Sequence, residues 1–176
     1  MLNEIISQTA VELAAQTRSG SLSARAVVEA HLDRIDEVNG TINAIVAARP
    51  RKDVLVDADA ADALPAGQRG ALHGLPVAVK DLQNVAGLPT RAGSVTTSDK
   101  PAAQDGLVAA RLKAAGAIII GKTNTPEFGT GCHTFNQVYG TTSNPWDPSR
   151  VAGGSSGGAA AALASRMLPI ADGSDL

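Results

Sequence analysis

Residues 153–158 of this 176-residue chain read Gly-Gly-Ser-Ser-Gly-Gly and are followed by four alanines. Glycine adopts backbone angles that are closed to other residues, so this loop can turn sharply and let a ligand approach its backbone. The alanines predict a helix, whose first turn would direct unpaired N–H groups and a positive dipole end at the loop. Ser155 and Ser156 therefore lie where a hydroxyl group could exchange protons or face a developing negative charge.

Two simpler interpretations of this stretch remain open. Glycine–serine runs are typical of flexible linkers. A serine or glycine before a helix is often only its N-terminal cap. The stretch alone does not separate these structural roles from a catalytic one, so the rest of the chain has to decide.

Composition limits the class of protein. Hydrophobic residues make up 44% of the chain, which argues against disorder, and 176 residues can bury a sizeable core. Aromatic residues are only 2%, so the core must consist of Ala, Val, Ile and Leu. The 15 basic and 17 acidic residues give a net charge of −2 without a basic block, so we expect no nucleic-acid partner.

Cysteine usage and the N-terminal residues add further expectations. Cys132 is the only cysteine, which excludes an internal disulfide and provides no cluster for a metal. Residues 1–8 lack the basic segment of a signal peptide. No apolar run approaches the roughly 20 residues that a membrane span requires. We therefore expect a soluble, cytoplasmic protein.

Periodicity and capping residues predict alternating helices and strands. Thr9 and Glu12 match a capping box for a helix to about residue 20, and Ser23 caps a second helix that Asn39 and Gly40 would end. The further elements are strands at 42–47, 75–80, 117–120 and 168–171, and helices at 53–64, 105–115 and 159–167. This alternation predicts an α/β fold with a mixed, largely parallel central sheet covered by helices.

Lys80 ends the nearly continuous apolar run at 75–80, which is typical of a strand buried on both faces. In one interpretation its stem lies on apolar surface and its ammonium group is in water. In the other it stays in the crevice at the carboxyl end of the sheet, where open α/β sheets bind ligands. Burial there would disfavour the ammonium form and allow a neutral amine to act as a base. The residues alone support both interpretations equally.

Residues 116–123 match the phosphate-binding pattern G-x-x-x-x-G-K-[ST]. In a true P-loop the middle residues form a loop after a strand, with their amides turned onto phosphate. Here Ile118, Ile119 and Ile120 are the predicted strand itself, and Pro126 would disturb any following helix. We therefore do not expect nucleotide binding.

Residues 129–150 form a long connection rich in Gly, Asn, Thr and Pro, and a loop of this length is usually functional or disordered. The aromatics Phe128, Phe135, Tyr139 and Trp146 lie in or just before it. They predict a folded loop that forms a wall of the substrate pocket. The alternative is that the rings only anchor the loop to the core.

We assign none of the three histidines to catalysis. His31 is predicted to be partly exposed on its helix, and His73 to lie in a turn. His133 follows Cys132, but neighbours on an extended chain point to opposite sides, which disfavours a direct Cys–His pair. The aspartates at 53–64 are spread around their helix and indicate a solvated face rather than a metal site.

Several other blocks occur with the glycine–serine loop in a fixed order. They are residues 74–81, 87–90, 92–94, 121–124, 126–128, 144–146, 151–158 and 171–176. In order and spacing these blocks resemble the amidase signature family of serine hydrolases, and the resemblance covers nearly the whole chain. In that family the last block continues through Gly-Gly-Ser. The nucleophilic serine would then stand at position 179, beyond Leu176.

The resemblance implies an amide hydrolase that forms an acyl-enzyme through a Ser–Ser–Lys triad and uses no metal or organic cofactor. It assigns Lys80 as the base and Ser155 as the proton relay, with the Gly154–Ser155 peptide bond held cis. Leu176 and the residues after it would donate N–H groups to the oxyanion. We expect Ser156 to support the loop, and Ser174 and Asp175 to brace the turn that carries the nucleophile. The candidates for the substrate pocket are Gly131, Cys132 and Gly154.

The resemblance also sets expectations about the domain and its partners. Residues 1–176 would be the N-terminal part of a single amidase-like α/β domain, with a mainly helical lead-in at 1–70 and the start of the catalytic core at 71–176. We expect a small-molecule amide as the partner, neither nucleic acid nor a membrane, and leave a homodimer open. Residues 87–90, Gly-Leu-Pro-Thr, look closer to the stand-alone amidases than to the amidotransferase component that acts on charged tRNA.

A chain truncated at Leu176 would lack the attacking residue, so we expect these 176 residues alone to be inactive. A second class of function stays open beside the hydrolase. The chain could be a non-catalytic fragment, or a module that binds an anion or phosphate through the glycine-rich loop.

Overall fold

A computed structural model describes residues 4–174 of the chain. The helices are α1 (Ala10–Ser19), α2 (Ala24–Ile42), α3 (Arg51–Asp62), α4 (Leu107–Ala114) and α5 (Gly157–Ala164), and the strands are β1 (Ile45–Ala48), β2 (Pro76–Lys80), β3 (Ile118–Thr123), β4 (Phe135–Asn136) and β5 (Gly140–Thr141). Short 3-10 turns cover Ile5–Ser7, Ala66–Gln68 and Glu127–Gly129. No helix in the described range is long and apolar enough to cross a membrane.

The central sheet has the order β1-β3-β2, with β1 antiparallel and β2 parallel to β3. Helices α2, α3 and α5 pack their apolar sides together on one face of this sheet. Helix α4 covers the other face, where Ala109 packs with Val79 and Ile119. Every residue of β2 and β3 is buried, as expected for strands enclosed between helices. The predicted α/β fold with a mixed sheet is confirmed, and β4 and β5 form a separate small hairpin.

The pairing of β2 with β3 contains one irregularity that positions the lysines. Val77 pairs with Ile119 but Ala78 pairs with Gly121, so β3 carries one extra residue at this point. After the irregularity Val79 pairs with Lys122, and Lys80 pairs with Thr123. Because paired residues share a face and successive residues alternate, Lys122 lies on the Val79 face and Lys80 on the opposite one.

The predicted caps of the first two helices are confirmed, whereas α3, α4 and α5 begin at residues 51, 107 and 157 rather than at 53, 105 and 159. The Thr9 amide donates to Glu12 Oε2 at 2.8 Å and the Glu12 amide to Thr9 Oγ1 at 3.3 Å, which completes the capping box. The Ala26 amide donates to Ser23 Oγ at 3.1 Å at the start of α2. These caps are local in sequence, which is why the sequence reveals them.

The predicted end of α2 at Asn39 and Gly40 is wrong. The helix continues to Ile42 and ends at Asn43, which adopts a left-handed conformation with φ 56°. Asn39 Oδ1 instead accepts the amides of Ala44 and Ile45, each at 2.9 Å. The residue that looked like a helix stop therefore fixes the turn into β1, and β1 begins at Ile45 rather than at residue 42.

The predicted strand at 168–171 is not formed within the described residues. Helix α5 also ends at Ala164, before the predicted residue 167. Leu168 packs into the main core without joining a ladder. The next polar residue, Asp172, meets β2 through its side chain, since Asp172 Oδ1 accepts the Lys80 amide at 2.7 Å. A carboxylate thus occupies the place that a neighbouring strand's carbonyl would take.

The expected partial exposure of His31 is wrong. Its side chain lies on the buried side of α2 and is 1% exposed. His31 Nδ1 lies 3.3 Å from the Arg166 carbonyl oxygen, just past α5. Burial lowers the pKa of His31 to about 4. His73 lies in a turn, as predicted, and is also buried.

Candidate active site

Lys80 is the last residue of β2, and only 1% of its surface is exposed. Its Nζ donates to three serine hydroxyls: Ser155 Oγ at 2.8 Å, Ser156 Oγ at 2.9 Å and Ser174 Oγ at 2.9 Å. The interpretation with an ammonium group in water is therefore wrong. The structure brings together a buried amine and hydroxyls from two segments that are distant in sequence.

The glycine–serine loop is fixed in place on both sides of Ser155. The peptide bond between Gly154 and Ser155 is cis. Thr134 Oγ1 donates to the Gly153 carbonyl at 2.7 Å and accepts the Gly157 amide at 3.0 Å. Thr125 Oγ1 donates to the Ser155 carbonyl at 3.2 Å. A segment held by these bonds does not behave as a flexible linker.

The first amides of α5 are bonded within the protein. Gly157 N–H donates to Thr134 Oγ1, and Gly158 N–H donates to the Asn124 carbonyl at 3.2 Å. Ser156 occupies the N-cap position, but its side chain makes no capping hydrogen bond. The simple cap interpretation is therefore not supported. An anion would find these two amides already bonded, which does not favour the anion-binding alternative.

Ser156 and Ser174 are hydrogen-bonded to each other, and the hydroxyls of both accept from the Lys80 amine. Ser156 Oγ accepts the Ser174 amide at 3.1 Å and donates to the Ser174 carbonyl at 3.2 Å. Together with the bond from Lys80, these contacts use the hydroxyl hydrogen and both lone pairs of Ser156. Ser156 thus links the glycine–serine loop to the segment that leads into the last residues of the chain. The predicted positions of Asp175 and Leu176 lie outside the described residues.

Sequence reasoning missed Asp172. Its carboxylate accepts the Lys80 amide, and burial raises its pKa, opposed by hydrogen bonds from the backbone amides of Lys80 and of Asp172 itself and by the charges of Lys80 and Lys122. The available signal was an acidic residue directly after an apolar stretch, in Ile170-Ala171-Asp172. Acidic residues are rarely buried unless they are paired, so an aspartate directly after an apolar stretch indicates a carboxylate with a buried partner.

Asp81 and Lys122 form a second polar centre on the opposite face of the sheet. Lys122 Nζ lies 2.9 Å from Asp81 Oδ1, and both side chains are 0% exposed. Lys122 Nζ also donates to the Pro89 carbonyl at 3.2 Å and to Thr90 Oγ1 at 3.1 Å. Burial lowers the pKa of Lys122, and the Asp81 charge opposes that shift. The lysine of the P-loop-like pattern is therefore a buried strand residue, and Ile118–Thr123 is strand throughout.

The pocket candidates lie next to the glycine–serine loop. Gly131 and Cys132 line a cavity of about 360 Å³ together with Pro126, Glu127, Thr130, His133 and Phe135. A Cβ atom added to Gly154 would come within 3.2 Å of the His133 amide nitrogen. The loop that forms the cavity therefore lies directly against the residue before Ser155.

The loop aromatics do not anchor this segment as one interpretation expected. Phe128 is 54% exposed, Phe135 57% and Trp146 79%. Tyr139 is half-buried, and burial raises its pKa to about 12. The loop is ordered instead by polar contacts: Asn136 Nδ2 donates to Asn124 Oδ1 at 2.7 Å. Among residues 4–174, no group of three or more His, Cys, Asp or Glu side chains is placed to hold a metal ion.

The sequence profile of the Amidase family matches residues 26–176. The chain belongs to the amidase signature family. This amidase-family chain is 46% identical over 170 residues to the indoleacetamide hydrolase of Bradyrhizobium diazoefficiens, covering 96% of this chain and 32% of that protein. It is 42% identical over 176 residues to one of the component chains of the glutamyl-tRNA(Gln) amidotransferase of Nocardia farcinica, covering 99% of this chain and 36% of the relative.

Solved amidase structures share the fold. The native peptide amidase of Stenotrophomonas maltophilia superposes with a TM-score of 0.83 at 30% identity, covering 93% of this chain and 35% of that one. A 6-aminohexanoate cyclic dimer hydrolase in complex with its substrate gives a TM-score of 0.83 at 31% identity, covering 94% and 33%. The chain thus spans about a third of the length of the relatives that it matches.

Proposed function

We propose that this chain provides the proton-transfer part of an amide hydrolase that works through a Ser–Ser–Lys triad. The observation that carries the proposal is the contact of the buried Lys80 amine with Ser155 Oγ at 2.8 Å. Membership of the amidase signature family supports the same chemistry. The nucleophilic serine of the proposal stands at position 179, in sequence that follows Leu176.

The hydrogen-bond arrangement suits reversible proton transfer. An ammonium group has three donors, and three hydroxyl oxygens lie within 2.9 Å of Lys80 Nζ. A neutral amine donates only two hydrogen bonds and needs one donor directed at it. A serine hydroxyl supplies that donor by rotating its hydrogen, without any movement of heavy atoms. We assign this rotation to Ser155, which makes the shortest of the three contacts.

The proposed reaction then follows from these positions. The neutral Lys80 amine takes the proton of Ser155, and Ser155 takes the proton of the nucleophilic serine as that oxygen bonds to the amide carbon. The carbon–nitrogen bond breaks, and the same proton returns through Ser155 to the leaving nitrogen. Water then attacks the acyl carbon and gives its proton through Ser155 to Lys80; the bond to the serine oxygen breaks, the proton returns through Ser155 to that oxygen, and the acid is released. Backbone N–H groups of Leu176 and of the residues after it would stabilise the oxyanion.

The remaining parts of the proposal concern substrate and domain. The substrate is a small-molecule amide that enters the cavity beside Gly131, Cys132 and Gly154. Residues 1–176 form the N-terminal part of one amidase-like domain, with the lead-in at 1–70 and the start of the catalytic core at 71–176. Every step uses side chains and backbone amides, so the proposed chemistry needs no metal or organic cofactor.

The test uses the protein extended by the remainder of its gene. Wild type, Ser155→Ala and the matched control Ser98→Ala, which changes an exposed serine, are assayed on a panel of primary amides and anilides. We expect Ser155→Ala to lower kcat by several powers of ten, because members of a triad act as a unit, and Ser98→Ala to match wild type. A folded Ser155→Ala variant with near-normal kcat would remove Ser155 from the mechanism. The absence of amide hydrolysis in the wild type would overturn the proposed function itself.

A further inference from the structure

The backbone of Lys80 is held at the side of β2 that faces away from β3. The Asp81 amide donates to the Thr123 carbonyl of β3 at 3.1 Å. Successive amides along a strand point in opposite directions, so the Lys80 amide points away from β3. Asp172 Oδ1 accepts that amide at 2.7 Å. One carboxylate thus fixes the backbone of the residue whose amine contacts the serines.

The charges of two buried lysines act on the same carboxylate, and one of them, Lys80, is the residue whose backbone amide it accepts. The charged groups that act on Asp172 among the described residues are Lys80 from β2 and Lys122 from β3. Lys122 in turn faces Asp81, with which it makes the buried ion pair. The four groups sum to zero when all are ionised. If Lys80 loses its proton, the remaining three carry one net negative charge.

A hydrogen bond to the Lys80 amide does not by itself require a charged acceptor. An asparagine oxygen would accept the same N–H without the free-energy cost of burying an ionised group. Burial does raise the pKa of Asp172, which is the sign of that cost. The site therefore holds a carboxylate where a neutral acceptor would bind the backbone as well. The charge needs its own explanation, and the nearby Lys80 ammonium provides one.

We propose that Asp172 is a positioning residue that fixes the end of β2 and stabilises the protonated form of the Lys80 amine. Asp172 lies two residues before Ser174, whose hydroxyl accepts a hydrogen bond from the Lys80 amine. Asp172 therefore links the backbone of Lys80 to the segment that carries one of the partners of its side chain. In the proposed mechanism Lys80 becomes charged as it takes the serine proton. The carboxylate favours that state. This catalytic consequence rests on the proposed function. The effect of Asp172 on the protonation of Lys80 can be tested without amide hydrolysis.

The first experiment compares Asp172→Asn with the matched control Asp105→Asn. Asp105 likewise accepts a backbone amide at a distant site, from Ala86 at 2.8 Å, and it also bonds Lys113 Nζ at 2.7 Å. The protein is labelled with ¹³C at lysine, and the Lys80 signal, assigned with Lys80→Arg, is followed by NMR as a function of pH. We expect Asp172→Asn to move the titration midpoint of Lys80 to lower pH by on the order of one unit, since a neighbouring negative charge is lost. Asp105→Asn should leave it in place.

Equal Lys80 midpoints in Asp172→Asn and Asp105→Asn would overturn the inference. If Asp172→Asn does not fold, the reciprocal measurement decides. Lys80→Met removes the cation while Asp172 stays, and we expect it to raise the titration midpoint of the Asp172 carboxyl carbon, because a favourable charge is lost. An unchanged Asp172 midpoint in Lys80→Met would equally contradict the inference. Neither measurement depends on amide hydrolysis, so failure of the proposed function would leave both outcomes readable.

The catalytic consequence is measured separately in the extended protein. Asp172→Asn keeps an oxygen for the Lys80 amide, so we expect KM to stay near the wild-type value. Loss of the charge should lower kcat about tenfold and move the acid limb of the pH–rate profile to lower pH. A change in KM alone, with an unshifted acid limb, would show that Asp172 only accepts the Lys80 amide and that its charge does not act on the Lys80 amine. That result would contradict the inference.

Discussion

Asp81 and Lys122 form an ion pair with 2.9 Å between the carboxylate and ammonium atoms, and neither side chain is exposed. The pair joins the residue after Lys80 to β3. Lys122 also donates to the Pro89 carbonyl and to Thr90 Oγ1, so the pair fixes the segment that follows β2 as well. Because both charges have left water, each depends on the other far more than a surface pair would.

Breaking this pair from one side should destabilise the protein strongly. We expect Asp81→Asn to lower the free energy of unfolding by about 3–5 kcal/mol, because it leaves the Lys122 charge buried and unpaired. The double variant Asp81→Leu/Lys122→Met should recover much of that loss. Urea denaturation in a double-mutant cycle measures both. The exposed pair Arg150–Asp147 is the control, and Asp147→Asn should cause no measurable loss. Equal losses in the buried and exposed single variants would contradict this account.

Lys80→Arg separates the charge of Lys80 from its role as a base. A guanidinium stays protonated at any working pH, so it can fill the site as a cation but cannot take a proton. In the extended protein we expect a folded variant with no measurable amide hydrolysis, checked by circular dichroism and by product release. Lys100→Arg, at an exposed loop position, should behave as wild type. Retained turnover in Lys80→Arg would assign the base to another residue.

The chain of 176 residues alone should hydrolyse no amide or ester above background, because the proposed nucleophile at position 179 is not part of it. A fluorophosphonate probe followed by peptide mapping should find no modified serine in this chain, and one modified serine in the extended protein. Adding the separately expressed remainder of the protein should restore hydrolysis. A labelled serine within residues 1–176 would show that the nucleophile is misplaced in the proposal.

His31 should make stability depend on pH. Burial lowers its folded-state pKa to about 4, below the ordinary value of 6.5. At pH 7 the histidine is neutral in both states, and its full contribution is present. As pH falls from 6.5 towards 4, the unfolded state binds a proton that the folded state does not, so about 3 kcal/mol of stability is lost. Urea denaturation at pH 7, 6 and 5 should show about two-thirds of this loss, because pH 5 still lies above the folded-state pKa, and His31→Gln should flatten it. The exposed His133→Gln should keep the wild-type dependence, and an equal effect of both variants would contradict the assignment.

Two helical glycines should respond in opposite ways to the same substitution. Nothing lies within 4 Å of a Cβ added at Gly40 in α2, whereas at Gly158 in α5 it would meet the Asn124 backbone. Gly40→Ala should therefore stabilise the protein by about 0.5–1 kcal/mol, as helix propensity predicts. Gly158→Ala should destabilise it, because α5 must move away from the end of β3. Thermal unfolding of both variants checks this, and stabilisation by Gly158→Ala would show that the close approach is not needed.

The parts of the structure that sequence predicted are those set by local chemistry. The apolar run before Lys80 determines a buried strand whatever surrounds it, and the capping box at Thr9 needs only its own four residues. The order of the blocks identified the family, and through it the contact between Lys80 and Ser155 was anticipated. The assigned roles of these residues remain predictions.

The errors came from partners that are distant in sequence. Asn39 looked like a helix stop, but its side chain is used by Ala44 and Ile45 once β1 joins the sheet. His31 looked exposed because the residues that cover it lie after α5, more than 130 positions away. Asp172 was missed for the same reason, since its significance appears only when the Lys80 amide is seen beside it.

The extra residue of β3 has a further consequence for the spacing of charges. With regular pairing from Ile119 onward, Lys122 would stand directly beside Lys80 on the same face, and two ammonium groups would share one buried neighbourhood. The one extra residue in β3 therefore determines whether the two lysines lie beside the same serines or contact different partners. Loss of the irregularity, with the sequence unchanged, would conserve every polar side chain of the site and still dismantle it.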